Sequence, residues 1–192
     1  MQLICTPRSH FSRKVRLLLS ALGIDIELID AGNVGERSAG FGPNPLMKVP
    51  TLLDEGRVVF DSDHIAAYLA RRHDPGDRWQ VLTIDTDVLN ARAVLNGVMG
   101  QEVELILAAR SGIDTAAQPR YDKLREGMAQ GLAWLEQRSE LFADSPAYLG
   151  LHLVSLWDHL ALYRLMALDY PRLRTIVERY SGLPWVAASR PV

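Results

Sequence analysis

A chain of 192 residues with 48% hydrophobic content has enough apolar side chains for one sizeable core or two small packed domains, and that argues against intrinsic disorder. Its 21 basic and 23 acidic residues give a formal charge of −2, so no overall positive field gathers nucleic acid or an anionic membrane. The chain opens Met1-Gln2-Leu3-Ile4 with no basic-then-apolar leader and contains no membrane-length apolar run, so a soluble, cytoplasmic protein is expected.

Gln2 to Thr6 predicts a first strand, and its Cys5, the single cysteine, reads as strand packing rather than a reactive thiol. The turn-prone Pro7-Arg8-Ser9-His10 leads into a helix over Phe11 to Leu22, with Val15, Leu18, Leu19 and Leu22 on one stripe and Arg13, Lys14 and Arg16 largely off it. Gly23 stops that helix. Ile24 to Ile29 has strand character, and Ala31 to Pro45 is too rich in glycine and polar residues for more than a short helix. Thr51 to Leu53 and Arg57 to Phe60, joined through Asp54-Glu55-Gly56, predict a hairpin. Asp61-Ser62 then caps a helix reaching about His73. The order β-α-β, β-β-α implies a small mixed sheet with helices on it.

His73-Asp74-Pro75-Gly76-Asp77 breaks the pattern and marks the best boundary, giving domains over 1–76 and 84–192. The second part reads as all-α, with helices near Ile84 to Ala109, Ala117 to Arg138, Ser155 to Leu168 and Pro171 to Tyr180. Within it, Ser155-Leu156-Trp157-Asp158 predicts a capping box that starts a buried helix, with His159 at the staple position.

Three places suggest chemistry. Ser9 ends the first strand just before a helix N-terminus, where unpaired N–H groups and the helix dipole favour negative charge. Its hydroxyl either caps the helix or donates to a bound thiolate and lowers that thiol's pKa. His10, Ser12 and Arg13 lie close enough to assist, though solvated side chains are the simpler account of all three. Val49-Pro50 puts proline where a strand begins, a position suited to a strand start, an edge or a tight cis turn that offers Val49's backbone to an extended ligand. Asp61 and Ser62 repeat the helix-start theme. Ser62 and the first-turn N–H groups suit a ligand carboxylate, while Asp61 suits its ammonium group and Lys48 a second carboxylate.

Other chemistries lack their residues. No serine sits in a nucleophile elbow and no glycine loop has the lysine and hydroxyl of a phosphate site. The histidines at 10, 64, 73, 152 and 159 form no pair at metal-ligand spacing supported by cysteines, so no metal is expected. The small basic cluster Arg8, Arg13, Lys14 and Arg16 has no interleaved aromatics to make a nucleic-acid surface.

Taken together, Thr6-Pro7-Arg8-Ser9-His10-Phe11-Ser12-Arg13-Lys14-Val15-Arg16, Asn44-Pro45-Leu46-Met47-Lys48-Val49-Pro50 and Asp61-Ser62, followed by the helical half, resemble the glutathione S-transferase superfamily over nearly the whole chain. The first segment is similar to the bacterial serine or cysteine types more than to the tyrosine types, because its hydroxyl precedes the first helix and Phe-x-Arg-Lys-Val-Arg follows. The sequence departs from the family pattern with His10 where many relatives have proline, Met47 where glycine is usual and Asp61 where glutamate is more common.

The resemblance implies an α/β thioredoxin-like N-terminal domain plus an all-α C-terminal domain, a cis Pro50, and a Val49 backbone pairing with the cysteinyl part of glutathione. It implies that Ser62 and Asp61 hold the γ-glutamyl end and that Ser9 is the catalytic residue, hydrogen-bonding the sulfur. Glutathione would be the co-substrate, conjugated to a small hydrophobic electrophile bound near Val94, Val98, Glu102 and Leu105, and the protein a homodimer serving detoxification. The short segment after Tyr180 would leave the cleft more open. Two other functions compete: a catalytically silent binding or scaffold protein, and a glutathione-dependent thiol oxidoreductase or peroxidase, a branch that usually places cysteine at position 9.

Overall fold

The computed structural model describes residues 1–142 and 147–191. The chain divides into two compact units, one made of Met1–Leu82 together with Gly182–Val192 and the other of Thr83–Ser181.

Unit 1 holds a four-stranded sheet in the order β2-β1-β3-β4. Strand β1 (Gln2–Cys5) pairs parallel with β2 (Glu27–Asp30) and antiparallel with β3 (Thr51–Asp54), which pairs antiparallel with β4 (Arg57–Phe60). The β1-to-β2 crossover contains α1 (His10–Ala21), since parallel neighbours need a long connection. Between β3 and β4 stand only Glu55 and Gly56, with φ of 48° and 77°, the left-handed pair that a two-residue hairpin requires. Helix α2 (Ser62–His73) follows β4. Leu3, Cys5, Leu52 and Val59 from the sheet meet Val15 and Leu19 of α1 and Ile65 and Leu69 of α2, so both helices bury their apolar stripes on one sheet face.

The segment over 31–45 forms turns and no helix, as its glycines and polar residues imply. Near the end of the chain, α7 (Pro184–Ala187) belongs to unit 1 and packs against α1. The Arg13 guanidinium donates to Ser189 Oγ at 3.1 Å and to the Val186 carbonyl at 3.3 Å, and the Trp79 and Trp185 rings meet edge to face. Arg13 and Lys14 are 1% and 0% exposed, which corrects the expectation of a solvated Arg13. Each has acceptors in the fold, and charged groups tolerate burial on that condition.

Unit 2 contains α3 (Thr86–Arg110), α4 (Pro119–Gln137), α5 (Tyr148–Tyr163) and α6 (Pro171–Ser181). Helix α3 packs on α4 and α5, and α5 on α6. Every residue of α5 from Tyr148 to Trp157 is buried, the pattern of a helix enclosed on all sides.

That helix overturns the predicted capping box. It begins seven residues before Ser155, whose Oγ donates to the Leu151 carbonyl at 2.7 Å from within the helix. The apolar run Tyr148-Leu149-Gly150-Leu151-His152-Leu153-Val154 is helical itself, so no N-terminus falls at Ser155 and neither Asp158 nor His159 occupies a capping position. The expected continuation to Leu168 also fails: the helix ends at Tyr163, where Arg164 adopts the left-handed conformation and returns its N–H to the Leu160 carbonyl.

Candidate functional site

The sheet register brings the three suggestive segments to one end of unit 1. Ile4 faces Thr51 across the β1–β3 ladder and Thr51 faces Phe60 across the β3–β4 ladder. The chain therefore leaves β1 toward Ser9, enters β3 from Val49-Pro50 and leaves β4 into Asp61-Ser62, all at the same edge of the sheet.

Ser9 is the N-cap of α1. Its backbone is extended, with φ −67° and ψ 116°, and its Oγ accepts from the Ser12 N–H at 3.1 Å. Its own N–H turns back to the Thr6 carbonyl and Thr6 Oγ1, both at 3.3 Å. Capping uses the hydroxyl as an acceptor, and Ser9 keeps its O–H as a donor. His10 and Ser12 beside it are 2% and 0% exposed, so they are buried rather than solvated.

The Val49-Pro50 peptide is cis. Val49 stands just outside the β3 ladder, and among the described residues no turn or loop hydrogen bond engages its backbone. The approach to it is built by Asn44, 5% exposed, which sequence reasoning missed. Asn44 Nδ2 donates to the Lys48 carbonyl at 2.9 Å and to Thr51 Oγ1 at 3.1 Å, while Oδ1 accepts from the Leu46 N–H at 3.0 Å. The Asn44-Pro45 dipeptide is itself a turn signal and could have pointed to this role. Met47 adopts φ 51°, the left-handed conformation that glycine reaches without a Cβ penalty. Lys48 is exposed.

Asp61 is the N-cap of α2, its Oδ1 accepting from the Asp63 and His64 N–H groups at 2.9 and 3.2 Å. Its φ of 73° with ψ 127° is a rare conformation for a residue with a Cβ, and such strain persists only where surrounding bonds over-determine it. Ser62 follows as the first helical residue and is 3% exposed. The edge thus presents two helix N-termini, where free N–H groups and the macrodipole favour anions, with an extended backbone segment between them.

Cys5 is not part of this edge. It lies in the hydrophobic cluster, 5% exposed, and burial pushes its thiol above the ordinary value. In unit 2, three of the residues expected beside an electrophile approach neighbouring helices. Val94 and Val98 crowd Gly131 of α4, where a Cβ would meet them at 3.2 and 2.9 Å, and Glu102 lies 2.8 Å from His159 Nδ1 of α5. Glu102 is fully buried, and desolvation raises its carboxyl pKa despite the opposing pull of His159.

A mixed β2-β1-β3-β4 sheet with α1 and α2 on one face, followed by an all-α unit, is the thioredoxin-like fold of glutathione S-transferases. Residues 3–77 match the family described as glutathione S-transferase, N-terminal domain. Human glutathione S-transferase theta-2 is 29% identical over 200 residues, spanning 95% of this chain and 75% of that protein. A glutathione S-transferase of Methylobacillus flagellatus KT, solved with GSH bound, superposes with a TM-score of 0.85 at 21% identity, covering 100% of this chain and 99% of the other. A glutathione transferase family member of Pseudomonas fluorescens Pf-5, solved with S-(propanoic acid)-glutathione, gives 0.80 at 25% identity over 100% and 99% of the two chains. Residues 3–77 thus match the N-terminal domain of glutathione S-transferases, and the chain is similar to such proteins over nearly its whole length.

Proposed function

We propose that this protein is a glutathione-dependent transferase that joins the glutathione sulfur to a small hydrophobic electrophile. The observation that carries this reading is the convergence of Ser9, Val49-Pro50 and Asp61-Ser62 at one edge of the unit 1 sheet. The relatives solved with glutathione or its derivatives lend it support.

An extended tripeptide with two carboxylates suits that edge. The γ-glutamyl carboxylate is received by the hydroxyl and N–H of Ser62, because the Asp63 and His64 N–H groups are held by Asp61 Oδ1, and its ammonium group by the other carboxylate oxygen of Asp61. The cysteinyl backbone pairs antiparallel with Val49, and Lys48 meets the glycyl carboxylate. The sulfur then lies at the start of α1, where the Ser9 O–H donates to it. A hydrogen bond to the thiolate and the positive end of the helix dipole both favour the charged form, so the thiol loses its proton to solvent more readily.

The thiolate pair attacks an electrophilic carbon, a carbon–sulfur bond forms, and the leaving group departs with the electron pair of the broken bond. Ser9 is not itself the nucleophile. A hydroxyl donor fixed in advance lowers the barrier because it needs no reorganisation as the reaction proceeds.

The oxidoreductase reading loses weight through Cys5, since a buried thiol with a raised pKa supplies little thiolate. Calorimetric titration with glutathione, paired with conjugation to a chlorinated nitroaromatic acceptor, tests the proposal. Binding with activity that falls in Ser9→Ala is expected; absence of binding overturns it, and binding without turnover of any electrophile favours a carrier.

A further inference from the structure

Lys14 and Asp63 join the two helix starts of the candidate site. Lys14, in the second turn of α1, is fully buried, and its Nζ donates to Asp63 Oδ1 at 2.9 Å. The Asp63 side chain is 30% exposed and belongs to the first turn of α2, directly after Asp61 and Ser62. The ammonium also lies 5.8 Å from the centroid of the Phe11 ring.

A buried ammonium is an expensive way to hold two helices together, because desolvation cancels much of the attraction and an apolar side chain of similar length often serves stability as well. What an apolar contact lacks is direction. The ion pair fixes one point on α1 against one point on α2, and those helices carry Ser9 and Ser62 at their starts.

We propose that Lys14 and Asp63 are a positioning pair that sets the separation between the sulfur-binding and γ-glutamyl-binding ends of the site. The inference rests on the glutathione reading above and extends it to residues that touch no ligand. A ligand held at both ends tolerates little change in that separation, since a site not held in the bound geometry spends part of its binding energy on being ordered into it. The pair grips the first turn of α2 beside Asp61 and Ser62, so its loss falls on the hold of the γ-glutamyl end more than on the chemistry of the sulfur.

The test is the neutral double variant Lys14→Met/Asp63→Asn, which removes both charges of the pair together. It is expected to melt within about 4 °C of the parent. Its glutathione Kd by calorimetry is expected to rise about tenfold. The kcat at saturating glutathione and the pKa of the bound thiol should stay at their parental values, a division that general loosening of the fold does not produce. Asp63→Ala and Asp63→Glu repeat the comparison at the partly exposed partner without altering the lysine. The alanine variant should bind weakly and the glutamate variant, which keeps the charge, should recover most of the affinity. Parental affinity in the double variant overturns the inference, as does equal affinity of the alanine and glutamate variants. A parent protein that binds no glutathione is a separate result and removes the transferase reading itself.

Discussion

Ser9 and Ser155 both hydrogen-bond to helix backbone, but in opposite senses. At the start of α1, Ser9 Oγ accepts from the Ser12 N–H and keeps its proton available for another group. Inside α5, Ser155 Oγ spends its proton on the Leu151 carbonyl. The same side chain is therefore open to a ligand in unit 1 and closed upon the fold in unit 2. The contrast extends to the units themselves: unit 1 gathers two helix starts and a strand entrance at one end of its sheet, whereas unit 2 surrounds α5 with close packing.

The largest effect expected from breaking this contrast lies in unit 2. Gly150 of α5 lets the Tyr180 ring pass directly over its Cα, and a Cβ there collides with that ring. Tyr180 is 2% exposed and its hydroxyl accepts from the Ala147 N–H at 2.8 Å, so it has little freedom to withdraw. Gly150→Ala should cost about 2–3 kcal/mol by overpacking, measured by urea unfolding.

Ser9→Ala comes next. Removing the cap should cost about 1 kcal/mol of stability, whatever happens to activity. A smaller loss in the same measurement would mean that water replaces the cap.

Glu102 gives a pH test. Burial raises its carboxyl pKa in the fold, so the folded state holds the proton more tightly than the unfolded chain does. Its contribution to stability is full below the unfolded pKa of about 4.3 and is lost as pH rises through the raised folded value. Glu102→Gln cannot lose a proton, and its unfolding free energy should fall less than the parent's between pH of about 4 and 8. Parallel curves for the two proteins would contradict the raised value.

Ser155→Ala should have the smallest effect, within about 0.5 kcal/mol. Alanine is a better helix former, and the Leu151 carbonyl lies within the regular ladder of α5. A loss of more than about 1 kcal/mol would restore the importance of the hydroxyl.

The two serines also show what could be read from the chain. Ser9 follows Pro7, which lacks an N–H and breaks any helix extending from upstream, so the helix start was legible. Ser155 follows seven apolar or helix-compatible residues, and the serine-x-x-acid spacing gave no sign that the helix was already under way. The hairpin was legible because Glu55-Gly56 has turn chemistry at the right distance between two apolar runs.

The burial of Arg13 and Lys14 was not legible. Their acceptors, Ser189, Val186 and Asp63, lie far away in sequence, and only the fold of unit 1 brings them together. Likewise Val94 and Val98 have helical spacing that suits a cleft wall or a helix interface equally, and their closeness to Gly131 of α4 was not legible in that spacing.

Ser9, as proposed, meets the glutathione sulfur at the start of α1 and holds it as thiolate. Ultraviolet difference absorbance of the glutathione thiolate, followed against pH with saturating protein, reads it directly. The parent protein should hold bound glutathione as thiolate at a pH well below the titration of the free tripeptide, and Ser9→Ala should move that titration back toward the free value while glutathione remains bound. Identical titrations for the parent and the variant, with glutathione bound to both, would contradict the assignment of Ser9 as the donor to the sulfur.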